Sequence, residues 1–265
     1  MPVPGSDWLP AAPLVLVAGL AIVFVAGIVR GFAGFGFSAI SVAGLALIVS
    51  PAEVVPAIFA LEVLASLTLI RSAVRDVDWR WLASLVLGNV LFLPLGIVVL
   101  AWLPETQLRL AIGTLLLLAA LMQLRGRGLA LAPTAPVRLF VGAVSGFVNG
   151  LAAIGGIAVA VLLSTSQMAP ATLRATLIAL FLFTDVYALA WAGLVSQSDT
   201  APVALLGPRT IAWAAWMTPA MLAGIAIGRR SFTAVSPQRF RRRVLELLVV
   251  VAALGIARAL VDLAG

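Results

Sequence analysis

Long apolar runs dominate the chain and are broken at short intervals by polar or glycine-rich positions. They cover roughly residues 12–29, 33–49, 52–71, 80–102 and 106–124, and then 137–149, 153–166, 170–195, 208–228 and 240–262. A membrane-spanning helix needs about 20 such residues, whereas runs of about 10–14 are typical of re-entrant or interfacial segments. The pattern predicts an all-α polytopic membrane protein with a first repeat at 1–124, a cytoplasmic linker at 125–136 and a second repeat at 137–265.

The two groups of five segments share a glycine skeleton. Gly27, Gly31, Gly36 and Pro51 recur 119 residues later as Gly146, Gly150, Gly155 and Pro170. A match without gaps predicts a duplication, and apolar repeats interrupted by glycine at equivalent places are typical of transporters, with the substrate near the interruptions. Each glycine segment is predicted to be a helix–turn–helix hairpin, either re-entrant or fully spanning, because non-helical backbone at membrane depth must be covered by protein or line a cavity.

The distribution of arginine predicts the orientation. If every segment reverses direction, one side receives Arg30, the loop at 71–80, the linker, Arg174 and the loop at 229–243. This is the positive-inside pattern, so the linker is predicted to be cytoplasmic and both termini periplasmic. Five reversals in each half make the repeats inverted, a common plan for alternating access. Treating each glycine pair as one kinked span loses most of the asymmetry.

Composition narrows the functional classes. Hydrophobic residues make up 63% of the chain, charged residues 10%, and the mean hydropathy is +1.18, whereas soluble domains carry about 25% charged residues. The chain has no Cys and no His, which removes thiol chemistry and the commonest metal ligand and general base. We therefore expect no metal, no cofactor and no enzymatic activity. The net charge of +7 lies in loops where topology accounts for it, so no nucleic-acid partner is expected.

The glycine segments supply the candidate substrate-binding residues. A helix that begins after a glycine turn presents free N–H groups and a positive dipole end, which suits an anion. The candidates are Gly31, Gly34, Gly36, Ser38 and Ser41 in the first half, and Ser145, Asn149, Gly150, Gly155 and Gly156 in the second. The alternative is that these glycines serve close helix packing, as in small-xxx-small motifs.

Four further polar residues lie within or beside apolar runs. Glu62 and Asp185 are candidates for proton or ion coupling, because intramembrane acids are rare and often mark ion paths; the alternative is a neutral or arginine-paired structural acid. Arg30 is predicted either to reach the cytoplasmic surface or to attract the anion. Asn89 is predicted to form an interhelical hydrogen bond, with substrate binding as the alternative. In repeat terms Ser66 is the equivalent of Asp185.

The glycine segment that opens each half, followed by a Pro-Ala helix, resembles the sulfite exporter TauE/SafE family of membrane permeases. The resemblance rests on residues 31–36 with Pro51 and Ala52, and on residues 146–156 with Pro170 and Ala171, and it covers essentially the whole chain. It implies a bacterial inner-membrane permease for small anions such as sulfite, organosulfonates or related carboxylates. Phe37 stands where the second half has Gly156, so an asymmetric anion site is expected.

The predicted function is secondary transport of a small anion by alternating access of inverted repeats. The expected partners are the anion and the lipid bilayer, with protons and a second copy of the chain in a homo-oligomer as further candidates. One alternative is a non-transporting assembly or regulatory subunit. Another is an intramembrane enzyme, although an aspartyl protease needs two membrane aspartates and only Asp185 qualifies. A primary pump would need a partner, because the chain has no Gly-xxxx-Gly-Lys-Ser/Thr motif.

Overall fold

The computed structural model describes residues 11–125, 134–156, 159, 168–230 and 237–264. Within these ranges the protein consists of nine α-helices joined by turns, with no β-strand. The helices are α1 (Pro13–Ala33), α2 (Phe37–Leu45), α3 (Pro51–Ala73), α4 (Trp79–Trp102), α5 (Glu105–Leu124), α6 (Ala135–Ala152), α7 (Pro170–Ser196), α8 (Pro208–Arg230) and α9 (Pro237–Ala264).

Eight of these nine helices are long and apolar enough to cross a membrane. The exception is α2, whose nine residues extend roughly 13 Å, less than half of the hydrocarbon core of about 30 Å. The all-α polytopic fold predicted from the sequence is therefore confirmed. The predicted segment at 33–49 is a glycine turn, a short helix and a second turn. Most of its predicted equivalent at 153–166, and residues 126–133 of the predicted linker, lie outside the described residues.

The first glycine segment forms a hairpin. Gly34 and Gly36 have φ values of 81° and 91°, a left-handed conformation that glycine adopts without steric cost. The Gly34 N–H donates to Arg30 O at 2.8 Å and ends α1. The short helix α2 then folds back along α1, so that a methyl group added at Gly44 would lie 2.8 Å from Ile22 Cγ2.

Glycine also allows two long helix pairs to pack closely in parallel. On α1, a methyl group at Gly27 would lie 3.2 Å from Gly224 Cα of α8, and one at Gly19 would lie 2.8 Å from Met217 Cε. Residue 27 follows residue 19 on α1, and their contacts on α8 follow in the same order, residue 217 and then residue 224, so the two helices run in the same direction. Small residues at such crossings let the backbones approach, so the packing explanation holds for Gly27.

The second parallel pair is α6 with α4. A methyl group at Gly146 would lie 2.7 Å from Asn89 Cα, and one at Gly150 would lie 3.1 Å from Gly96 Cα. Close packing therefore accounts for Gly150, which the sequence offered as a candidate substrate-binding residue.

The contacts between helices are symmetric when the two halves are exchanged. Helix α1 of the first half packs on α8 of the second, and α6 of the second half packs on α4 of the first. Likewise α3 packs on α7, and α5 packs on α9. The α3–α7 pair is antiparallel, because the Asp78 N–H, just beyond the end of α3, donates at 3.1 Å to Thr176 Oγ1 near the start of α7. The middle of this central pair is where the buried polar side chains collect.

Candidate functional site

Buried polar side chains from both halves meet around the middle of α3 and α7. Six of them, all at most 7% exposed, form what we call the central polar cluster: Arg30, Ser38, Glu62 and Ser66 from the first half, and Asn149 and Asp185 from the second. Electrostatic interaction of Asp185 with both Glu62 and Arg30 joins the two halves of the cluster. The glycine turn after α1 and the end of α6 place Arg30 and Asn149 there.

Arg30 is completely buried and turns inward from α1. Its Nη2 donates to Ser66 Oγ at 3.0 Å and lies 3.1 Å from Glu62 Oε2. Its guanidinium carbon lies 4.6 Å from the centre of the Phe181 ring on α7, a cation–π contact. The alternative that Arg30 reaches the cytoplasmic surface is wrong, because α3 and α7 enclose the side chain. The alternative that Glu62 is paired with an arginine is correct, although the sequence did not identify Arg30 as the partner.

The second oxygen of Glu62 lies at the N-terminus of α2. Glu62 Oε1 accepts the backbone N–H of Ser38, the second residue of that helix, at 3.2 Å. A carboxylate at this position interacts favourably with the helix dipole. One turn further on, Ser41 is fully buried, and its hydroxyl contacts no hydrogen-bond partner among the described residues. The helix terminus predicted to receive a substrate anion is therefore occupied by a carboxylate of the chain itself.

In the second half an amide replaces the arginine. Asn149 Nδ2 donates to Asp185 Oδ1 at 2.9 Å, and Asn149 Oδ1 accepts the Gly155 N–H at 3.3 Å. Ser145 Oγ donates to Gly155 O at 3.0 Å and accepts from Asn89 Nδ2 at 3.2 Å. Asn89 thus forms the predicted interhelical bond between α4 and α6. This chain of bonds fixes the backbone after α6 and leaves Asp185 Oδ2 without a partner in the described part of the structure.

The two halves repeat one contact with exchanged chemistry. Positions 30 and 149 are separated by the repeat offset of 119 residues, and so are positions 66 and 185. The Arg30–Ser66 bond of the first half is therefore equivalent to the Asn149–Asp185 bond of the second. The first bond joins a cation to a hydroxyl, and the second joins an amide to a carboxylate.

Sequence reasoning missed Phe181. Residue 181 is the repeat equivalent of residue 62, so Glu62 and Phe181 contact the same guanidinium from the two central helices. Phe181 also lies against Gly156, where an added methyl group would collide with the ring. The offset of 119 residues between the two glycine segments, applied to Glu62, leads directly to position 181.

Arg30 has more donors than the surrounding residues use. Its Nε and Nη1 are buried, and no described residue accepts a hydrogen bond from either. Glu62 Oε2, despite its distance of 3.1 Å from Nη2, is not aligned for a hydrogen bond. Buried polar groups are nearly always hydrogen-bonded, so two unused guanidinium donors indicate a place for an additional acceptor.

A cavity of about 310 Å³ lies beside the cluster, where α1, α3 and α8 end and α7 begins. Its polar lining residues include Ser72, Asp76, Arg174 and Arg229. Gly31, the neighbour of Arg30 in sequence, forms part of the wall, and its carbonyl accepts from Arg174 Nη2 at 3.4 Å.

The stem of Arg174 covers the glycine turn. A methyl group at Gly34 would lie 2.6 Å from Arg174 Cγ. Arg174 also interacts electrostatically with Arg229 and Arg30. Three arginines therefore follow one another from the cavity wall to the central polar cluster.

The predicted candidates thus take several positions relative to the cluster, with Ser41 buried in α2 and Gly156 against Phe181. Arg30, Ser38, Glu62, Asn149 and Asp185 come together in the cluster, and Ser145, Gly155 and Asn89 support it through hydrogen bonds. Gly31 and Gly34 lie at the junction with the cavity, whereas Gly36 forms the turn and Gly150 packs on α4. Positions 157 and 160, the repeat equivalents of Ser38 and Ser41, lie outside the described residues.

Comparison with known proteins gives a family for this architecture. Residues 19–255 match the family model described as "Sulfite exporter TauE/SafE". No curated protein and no solved structure matches the chain. The matched residues run from α1 to α9 and include every residue of the central polar cluster. With eight candidate spans, the chain is a multi-pass membrane protein and belongs to the sulfite exporter TauE/SafE family of transporters.

Proposed function

We propose that the protein is a secondary permease for small anions such as sulfite, organosulfonates or related carboxylates, and that Arg30 binds the anion. The observation that carries the proposal is the fully buried Arg30, which contacts the central helices of both halves. Two of its nitrogens, Nε and Nη1, have no acceptor among the described residues. A guanidinium presents donors in a planar fork that matches an oxyanion and keeps its charge when buried.

The surroundings of Arg30 favour a small ligand. Side chains of α3 and α7 contact it, and it is completely buried, so the space beside it suits a small ligand and not a large one. The adjoining cavity supplies an access route, and its wall carries two cations, Arg174 and Arg229, against one acid, Asp76. A charged, low-dielectric cleft raises the local concentration of ions of opposite sign.

We further propose that the two halves are inverted repeats which expose the site alternately to the two sides. Two observations support this arrangement. Helices α3 and α7 pack in antiparallel orientation, and the contacts among the long helices have equivalents when the two halves are exchanged. Inverted repeats of this kind are common in secondary transporters. The cavity end of the bundle carries Arg71, Arg75, Arg174, Arg229 and Arg230. By the positive-inside rule this end faces the cytoplasm of a bacterial cell, and both termini face the periplasm.

Cysteine labelling tests this orientation in a chain that has no cysteine of its own. Single cysteines at Gly128 and Ser231 should react from the cytoplasmic side and one at Ser198 from the periplasmic side; positions 128 and 231 lie outside the described residues. Opposite accessibility of Gly128 and Ser231 would contradict the inverted arrangement.

Glu62 and Asp185 remain our candidates for coupling transport to protons. Both are buried in the cluster, on equivalent central helices. Export of a monoanion is already favoured by an inside-negative potential, at about 2.3 kcal/mol for each 100 mV, whereas accumulation requires an ion gradient. The role of the acids therefore bears on the direction of transport.

The direct test is uptake by the purified full chain in proteoliposomes, with sulfite, sulfoacetate, taurine and acetate as the panel. We expect saturable uptake of at least one anion and its loss in Arg30→Gln. Arg109→Gln is the matched control, because Arg109 is another buried arginine but contacts Glu105 and the Val49 carbonyl, away from the cluster. A correctly folded protein that carries no anion of the panel would instead favour the assembly or regulatory subunit.

A further inference from the structure

We propose that Glu62 is a built-in competitor of the transported anion, which must take up a proton and leave Arg30 before the anion can bind. This inference rests on the proposed function of Arg30. It assigns to Glu62 the proton coupling that the sequence left open between Glu62 and Asp185, and it makes the binding of one proton obligatory for the binding of one anion.

The positions of the two carboxylate oxygens provide the first argument. Glu62 Oε2 lies 3.1 Å from Arg30 Nη2, and Glu62 Oε1 accepts the Ser38 N–H at 3.2 Å. These are the two kinds of group that would recognise a small oxyanion, a buried guanidinium and the N–H groups that open a helix. Glu62 therefore occupies part of the place of the anion, the Nη2 side of the guanidinium and the start of α2, while Arg30 Nε and Nη1 have no acceptor among the described residues.

The charge of the cluster provides the second argument. The charged groups that face Glu62 are Arg30 from α1 and Asp185 from α7, while α2 presents the Ser38 N–H. One guanidinium therefore already faces two carboxyl groups. An anion added to this buried region without compensation would leave a negative charge unpaired at low dielectric, which is strongly unfavourable. A proton on Glu62 removes that charge and frees Arg30.

The hydrogen bonds distinguish Glu62 from Asp185. Asp185 Oδ1 accepts from the Asn149 amide at 2.9 Å, and neither of its oxygens is bonded to Arg30 or to α2. Glu62 contacts both groups that recognise an anion, and its contact with Nη2 is not aligned as a hydrogen bond. Because that contact is not a hydrogen bond, Glu62 gives up less on leaving Arg30 than Asp185 would on leaving Asn149.

The charge balance of the exchange follows directly. The Glu62 carboxylate takes up one proton and becomes a neutral acid, and the monoanion replaces it beside the Arg30 guanidinium. One positive and one negative charge enter together, so the loaded site carries the same net charge as the empty site. The structure therefore points to electroneutral symport of one proton with one monovalent anion.

The probe for the test is methanesulfonate, a monoanion whose charge does not change with pH in the working range. Binding and uptake are measured with the full chain in proteoliposomes as a function of pH, beside the panel that tests the proposed function. For wild type we expect affinity to fall by about tenfold per pH unit once Glu62 is ionised in the empty site. In Glu62→Gln we expect uptake to persist with affinity constant within about twofold over the same range.

The membrane potential provides a second measurement. Wild-type accumulation of methanesulfonate should follow the pH gradient and be insensitive to an imposed potential. In Glu62→Gln the anion moves without a proton, so an inside-positive potential of ~100 mV should drive about 50-fold accumulation, the ratio that corresponds to about 2.3 kcal/mol per charge.

Three variants control for folding and for general loss of carboxylates. Glu62→Asp keeps the titrating group and should keep the pH dependence. Glu53→Gln removes a partly exposed acid of the same helix that pairs with Arg209 and should behave as wild type. Asp185→Asn should also retain the pH dependence, whatever its rate.

The outcomes separate this inference from the proposed function. Uptake by Glu62→Gln with wild-type pH dependence overturns the role of Glu62 and leaves the anion permease intact. Complete loss of uptake in a folded Glu62→Gln, with activity in Glu62→Asp, also overturns it, because a competitor is not required for binding. If wild type carries no anion of the panel and no methanesulfonate, the proposed function fails and this inference fails with it.

Discussion

Positions 30 and 149 are equivalent in the two halves, yet one carries an arginine and the other an asparagine. Both side chains reach the same position of the facing central helix, Ser66 for Arg30 and Asp185 for Asn149. The arginine leaves two donors unused among the described residues, whereas both polar atoms of the asparagine are bonded. The two contacts thus join equivalent positions but differ in their chemistry.

The difference between the two positions bears on the proposed function. In the alternating access that we propose, equivalent helix pairs exchange their packing at either end of the bundle. A single anion needs one cation, which Arg30 supplies, while position 149 carries an uncharged amide that bonds to Asp185. We therefore interpret the first half as the half that recognises the anion and the second as a fixed support.

The largest effect should come from giving the first half the residue of the second. Arg30→Asn removes the proposed anion ligand and leaves Glu62 as a buried carboxylate without its cation, a change that typically costs about 3–5 kcal/mol. We expect flux to fall below detection and the thermal transition in detergent to drop sharply. Glu62→Gln in the same chain should restore most of the stability but none of the flux. Recovery of flux in the double variant would show that Arg30 serves only to neutralise Glu62.

Breaking the amide bridge should have a smaller effect. Asn149→Ala leaves Asp185 Oδ1 and the Gly155 N–H without their bonds, and a buried unsatisfied polar group costs about 1–3 kcal/mol. We expect flux to fall about tenfold, with selectivity among anions unchanged, because the loss concerns geometry and not the cation.

Asn89→Ala is the matched control for this bridge, since Asn89 makes only the bond to Ser145 in the described structure. It should lose about 1 kcal/mol of stability and retain most of the flux. If Asn149→Ala altered which anions are carried, Asn149 would take part in recognising the anion. The proposed division of roles between the two halves would then be wrong.

These two sites also show what the sequence could and could not predict. The glycine skeleton predicted the hairpin, because a left-handed turn such as that at Gly36 strongly favours glycine. The ion pair between Arg30 and Glu62 depends on how tertiary packing places these two side chains, and local sequence patterns do not contain that placement. The same applies to Glu62 at the start of α2, since the sequence predicted an open helix terminus and tertiary packing filled it.

The turns after α1 and α6 offer a comparison of backbone strain. Gly34 and Ala153 are repeat equivalents, both are left-handed, with φ of 81° and 57°, and their N–H groups bond to Arg30 O and Asn149 O. A left-handed alanine costs about 1–2 kcal/mol. Gly34→Ala should therefore lower the free energy of unfolding by at least this amount, since the new methyl also meets Arg174.

The reverse change in the second half should stabilise the protein. Ala153→Gly relieves the strain, partly offset by the greater unfolded-state entropy of glycine, so we expect a gain of about 0.5–1 kcal/mol. Thermal unfolding in detergent measures both variants. Gly207→Ala is the control, because the added methyl meets no atom within 4 Å. Equal losses from Gly34→Ala and Ala153→Gly would contradict the equivalence of the two turns.

The smallest effect concerns access to the site, where the halves also differ. Arg174 lines the cavity at the start of α7, and its repeat equivalent, Val55 of α3, is completely buried in the apolar core. In the function that we propose, Arg174 attracts the anion to the cavity but does not bind it in the cluster. Arg174→Gln should therefore raise the KM for uptake about threefold at low ionic strength, leave the maximal rate nearly unchanged, and differ less from wild type as salt screens the charge.

Arg209→Gln, at the opposite end of the bundle where it pairs with Glu53, should leave the KM for uptake from the cavity side unchanged. A fall in the maximal rate of Arg174→Gln that persists at high salt would place Arg174 among the residues that bind the anion. Helix α7 of the second half would then also take part in recognising the anion.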